Sequence, residues 1–166
     1  QAGLWITNYG EYLDAHPPEF TVEIDNGFQG EGSSWSCVHG VERWRSNCGC
    51  NSGRAGWNQE WRKPLRDALD WLRDYVSPRF EAFGYRFLRD PWKARDSYIR
   101  VALNRTPEIR NEFGKQHFVR ELDAAEQVTV WKLMELQRNA MLMYTSCGWF
   151  FDDLSGIETV QVIQYA

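Results

Sequence analysis

Long apolar runs are missing from this chain. No uninterrupted stretch approaches the ~20 residues that a membrane-spanning helix needs, which excludes an integral helical membrane protein and a membrane partner. Cysteine is scarce. Four in 166 residues are too few for a disulfide scaffold, and Cys37, Cys48 and Cys50 are bunched while Cys147 stands alone. Free or metal-bound thiols in a reducing, cytoplasmic compartment are the expectation. A basic block is also absent. Residues 54–110 carry a net +5 between segments of −5 (1–53) and −4 (111–166), but the cations Arg62, Arg66 and Arg73 alternate with Asp67, Asp70 and Asp74. That pattern makes a solvated helix face, and no nucleic-acid partner is expected. No glycine-rich phosphate loop, dinucleotide fingerprint, G-x-S-x-G elbow or H-E-x-x-H occurs, so ATP chemistry, hydride transfer and serine hydrolysis lack support. The chain begins at Gln1 with neither Met nor leader, and a piece of a longer polypeptide is expected.

Aromatic side chains are abundant: nine Trp, nine Phe and seven Tyr, in a chain that is 43% hydrophobic and 25% charged. An indole is costly to place unless it packs a core or binds something. From residue 1 to 56 the sequence is irregular and rich in glycine, with a short alternating run over 20–24 that predicts a strand or hairpin. From 57 to 166 the apolar spacing is helical. Leu65, Leu69, Leu72 and Val76 form one stripe, with Trp71 beside it and Pro78 expected to kink or end the helix. Asp90-Pro91 and Thr106-Pro107 read as caps followed by proline at the first helical position. Ile99, Ala102 and Leu103 are placed on an inner face. The longest helix is expected from about Leu122 to Tyr144 on Leu133, Leu136, Ala140 and Met143, and Ser155-Gly-Ile-Glu158 reads as a capping box. The expected fold is mainly α, a bundle of four to five helices with an irregular N-terminal third, forming one compact domain. Trp61, Trp71, Trp92 and Trp131 are expected in its packing.

Two stretches carry chemistry. In S-S-W-S-C-V-H-G-V-E-R-W-R-S-N-C-G-C (33–50), Cys37, His39, Cys48 and Cys50 match the number and type of ligands that zinc takes. Zinc pairs usually have two to four residues between them, and a single intervening residue tends to send neighbouring side chains apart. A zinc site, a disulfide within the cluster, and packed thiols beside a functional His39 all remain open. Beyond that zinc, no cofactor is expected. Trp35, His39, Arg43 and Trp44 also form an aromatic and hydrogen-bonding set suited to a sugar ring, or to pinning a loop. In M-Y-T-S-C-G-W-F-F-D-D-L-S-G-I-E (143–158), Asp152 and Asp153 follow Trp149, Phe150 and Phe151. A carboxyl desolvated by those rings would rise in pKa toward the range of a general acid, whereas an aspartate before a helix often serves as a cap.

N-Y-G-E-Y-L (8–13), S-S-W-S-C-V-H-G-V-E-R-W (33–44), C-G-C (48–50), P-W-K-A-R-D-S-Y-I (91–99) and L-Q-R-N-A-M-L-M-Y-T-S-C-G-W-F-F-D-D-L-S-G-I-E-T-V-Q (136–161) resemble domain of unknown function 3536. That domain lies C-terminal to the catalytic barrel in bacterial proteins similar to family 57 glycoside hydrolases, relatives of alpha-amylases and alpha-mannosidases. The resemblance implies an accessory domain that completes or covers the saccharide cleft of a retaining alpha-glucan hydrolase or transferase. Its implied partners are the barrel of the same polypeptide and an oligosaccharide or alpha-glucan. Trp35, His39, Arg43, Trp44 and Trp149 are the implied sugar contacts, with Asp152 or Asp153 as a replacement acid. Gly148 stands where family 57 carries its aspartate. Retaining chemistry needs two carboxyls roughly 5 Å apart, and the nucleophile segment is absent, so the chain alone is not expected to hydrolyse a glycoside. The rival expectation is a structural or zinc-stabilised scaffold that never touches substrate.

Overall fold

The computed structural model describes residues 4–27, 30–34 and 36–166. The molecule is mainly helical. A short exposed helix α1 (Tyr9–Ala15), opened by the Asn8 side chain accepting from the Glu11 N–H, precedes a long irregular stretch. Then follow α2 (Arg62–Gly84), α3 (Pro91–Ser97), α4 (Ile99–Leu103), α5 (Pro107–His117), α6 (Ala124–Leu142) and α7 (Ile157–Tyr165). Single 3-10 turns lie at Glu42–Trp44 and Ser146–Trp149. Among the described residues there is no strand, only an isolated antiparallel bridge between Leu88 and Phe118. The alternating run at 20–24 is exposed coil, because no second strand or apolar surface meets it.

The helices α2 and α6 run antiparallel and carry a core at each end. At one end Phe80, Leu88, Ala94, Tyr98, Val101, Phe113, Val130 and Met134 pack α2, α3, α4, α5 and α6 together. At the other, Leu69, Met143, Trp149 and Val162 join α2, α6, α7 and the 146–149 turn, with Trp44, Trp61 and Leu65 against them. No described helix is long and apolar enough to cross a membrane.

Local chemistry accounts for the boundaries. Asp90 accepts from the Trp92 and Lys93 N–H groups with Pro91 at the first position of α3, as its sequence predicts. Thr106 opens α5 ahead of Pro107, but its side chain makes no cap bond. The capping box is at Asp123 and Glu126, opening α6. At 155–158 the box does not form: Gly156 is the cap residue of α7, and Asp153 accepts from the Ser155 N–H instead.

Proline at 78 does not end α2, which runs through it to Gly84. Its face is exposed, and side chains supply the carbonyls on either side: Ser77 Oγ donates to the Arg73 carbonyl (2.7 Å) and Arg79 to that of Tyr75 (2.7 Å). The carbonyl that Pro78 leaves without its helical donor is that of Asp74, an exposed residue, so water can supply the missing bond. Trp61, Trp92 and Trp131 pack against the cores as expected. Trp71 does not: it is 65% exposed and stacks on Tyr75 at 5.2 Å. Ile99 and Leu103 also face outward, and Tyr98 and Val101 take the inner positions of that segment.

Candidate metal centre

Residues 36–56 form a loop that folds back onto the start of α2 and the 150–153 turn. Cys37 opens a tight turn closed by the Gly40 N–H to the Cys37 carbonyl at 3.1 Å, and His39 is its third residue. Cys48 and Cys50 flank Gly49, which has φ +85°. In extended backbone one intervening residue leaves flanking side chains parallel but far apart. A left-handed glycine folds the chain between the two cysteines and brings their sulfurs together. The objection raised by the spacing is therefore removed by the backbone.

The ligand atoms of Cys37, His39, Cys48 and Cys50 all lie within 4.8 Å of one another. His39 Nδ1 is 3.7 Å from Cys37 Sγ and 3.4 Å from Cys50 Sγ. A tetrahedral zinc with sulfur at ~2.3 Å and nitrogen at ~2.0 Å sets those atoms ~3.5 Å apart. All four cysteines are free thiols. Three thiolates and one imidazole could hold a divalent soft or borderline metal with no open position, the arrangement of a structural site.

A buried polar layer backs this cluster, and the sequence did not reveal it. Arg62, the first residue of α2, is fully buried. Its guanidinium donates to Gln59 Oε1 (2.9 Å), the Phe151 carbonyl (3.2 Å) and Cys48 Sγ (3.6 Å). Burial lowers the Arg62 pKa, opposed by Cys48 and Asp152, and a guanidinium remains charged nonetheless. Burial raises the Cys48 thiol, but the Cys50 N–H, the Cys37 and Cys50 thiols and Arg62 outweigh it and hold Cys48 below its ordinary value. Three thiolates on a dication leave one net negative charge, and Arg62 sits where that charge would be stabilised. By its position in the sequence Arg62 read as part of a solvated face. Its burial arises because the 36–56 loop covers the first turn of α2, a long-range event without a local signal.

Asp152 closes the layer from the other side. It is buried, accepting from the Ser52 N–H (2.6 Å) and Gln59 Nε2 (2.7 Å), while its own carbonyl accepts from Trp61 Nε1 (3.3 Å). Burial alone would raise its pKa, but these donors and Arg62 lower it below the ordinary carboxylate value. The expectation of a raised acid is thus reversed: the aromatic run does not desolvate Asp152 without compensation. Asp153 is tied to Ser155, whose hydroxyl and N–H hold its pKa down as well.

Three of the five expected sugar contacts are engaged with the protein itself. Trp149 has no exposed surface and stacks on Trp61 at 6.1 Å, so it has no face to offer a ligand. Trp44 is half-buried, donates to the Ser146 carbonyl (3.3 Å) and meets Phe150 edge-on. Arg43 donates to the Phe150 (2.9 Å) and Ser36 (3.4 Å) carbonyls. His39 is exposed on its outer side. Trp35 lies outside the described residues.

The family model for the domain of unknown function DUF3536 matches residues 57–166, about two thirds of the chain. The chain belongs to this family. No curated protein and no solved structure matches it. The DUF3536 match covers α2 to α7 with Gln59, Arg62 and Asp152, whereas the thiols and His39 precede it.

Proposed function

We propose that this chain is a zinc-pinned structural module, in which the metal ties the irregular N-terminal segment to the helical bundle. The observation that carries this reading is the convergence of Cys37, His39, Cys48 and Cys50 in front of a buried arginine that donates to one of the sulfurs. The module is read as an accessory part of a larger family 57-like, carbohydrate-active polypeptide, on the strength of the motif resemblance. It is not read as a catalyst by itself. Protein purified under reducing conditions without added metal should contain about one zinc per chain by elemental analysis. Cys48→Ser should retain less than about a tenth of that, since loss of one of four ligands opens a closed site. A wild-type protein that is fully folded and free of zinc, and stays so on zinc addition, would overturn the reading.

One observation favours a second reading, direct contact with saccharide. A cavity of about 560 Å³ lies beside His39, lined with hydroxyls and charges from Ser33, Ser34, Glu31, Glu42 and Arg45. In the full-length polypeptide, Ser34→Ala and Glu31→Gln should each lower kcat/KM on maltooligosaccharides by about threefold or more. Losses below that, under ~1 kcal/mol, would leave this cavity without a role in substrate binding.

A further inference from the structure

The far end of the bundle holds a second concavity, of about 230 Å³, between α4, α5 and α6. Its floor is Tyr98 and Trp131, stacked at 6.4 Å with their planes 28° apart. Its rim carries Arg105, Arg110 and Lys132 against one acid, Glu135, an excess of two positive charges on a chain of net −4.

The acid is already engaged. Glu135 accepts from the Tyr98 hydroxyl (2.7 Å), Arg105 (2.7 Å) and Arg138 (3.2 Å). Arg110 and Lys132 have no ion pair or side-chain hydrogen bond among the described residues, and the Arg110 guanidinium stands 5.9 Å from the Trp131 ring. Two cations without an acidic partner thus line the same concavity as an aromatic pair. A neutral ring would cover the floor and leave the cations bare; inorganic phosphate would do the reverse. A phosphomonoester on a single flat ring meets both. Its dianion can pair with a guanidinium fork and an ammonium, and its ring can lie against the indole. The volume admits one ring with its phosphate and is too small for an oligosaccharide.

We propose that this concavity binds a small aryl-type phosphomonoester, with Arg110 and Lys132 on the phosphate and Trp131 under the ring. The proposal is independent of the metal centre. Phenyl phosphate is the probe, followed by the indole N–H resonance of Trp131 in the intact chain, assigned with Trp131→Phe. The resonance should shift saturably, with affinity at least about tenfold tighter than for inorganic phosphate or phenol. Arg110→Gln combined with Lys132→Gln should weaken binding about tenfold or more, with the other indole resonances unmoved as evidence of an intact fold. The proposal falls if Trp131 does not titrate, if the double variant binds as the wild type does, or if phosphate or phenol alone binds equally well.

Discussion

Asp152 shows how little the neighbours in sequence determine the state of a carboxyl. Three aromatic residues precede it, yet its environment is set by Ser52, Gln59 and Trp61, about a hundred residues away along the chain. Asp152→Asn keeps the shape but removes the charge and half of the acceptor capacity, so a stability loss of about 1–3 kcal/mol by urea unfolding is expected. The pH dependence follows from the lowered pKa in the folded chain. The stabilisation is fully present above the unfolded value of about 3.9 and is lost as pH falls through the lower folded value. Between pH 7 and 3 the melting temperature of the wild type should therefore fall more than that of Asp152→Asn. Parallel curves would show that the carboxylate contributes nothing by its charge. His39 and the three clustered cysteines were legible as ligand types from composition alone. Gln59 and Arg62 were not, because each reads locally as an ordinary polar residue near a helix start.

Among the elements, α7 and the 146–149 turn are joined most tightly. Gly148 is buried there, and a Cβ at this position would lie 2.4 Å from Val162 Cγ2 and 3.3 Å from the Glu158 carbonyl oxygen. Thr159 Oγ1 donates to the Gly148 carbonyl at 2.7 Å. Any side chain here forces α7 away from the turn. Gly148→Ala should cost about 1–3 kcal/mol by overpacking, and Val162→Ala in the same chain should restore part of it. A single variant within about 0.5 kcal/mol of wild type would mean that α7 yields freely. Helix existence was legible from period and caps because those signals are local. Faces were less so. Leu136 belongs to the apolar repeat that predicts α6 but is 38% exposed, while Gln137 beside it is buried, since the antiparallel pairing of α2 and α6 decides which stripe is covered.

At the level of the whole molecule, apolar spacing predicts a mainly helical chain and the order of residues a thiol cluster in its irregular third, and both are present. What stayed hidden was the return of the 150–153 turn to the N-terminal loop. The tryptophan excess consequently divides differently from its sequence reading: Trp149 belongs with Trp61 in the interior, and Trp71 is left on the surface.

The contacts that fasten the 36–56 loop to that turn span some hundred residues, as in Arg43 with Phe150 and Ser52 with Asp152. Within the bundle, by contrast, the Leu88–Phe118 bridge closes a much shorter segment. Closing the longer loop carries the larger entropic cost and depends on a turn that is ordered only once α6 and α7 have docked. The polar layer behind the four ligands is therefore completed last. During synthesis from the N-terminus, the three clustered thiols and His39 emerge about a hundred residues ahead of Asp152, so the ligand loop exists before the turn that covers it and its thiols stay open to oxidants until that turn arrives.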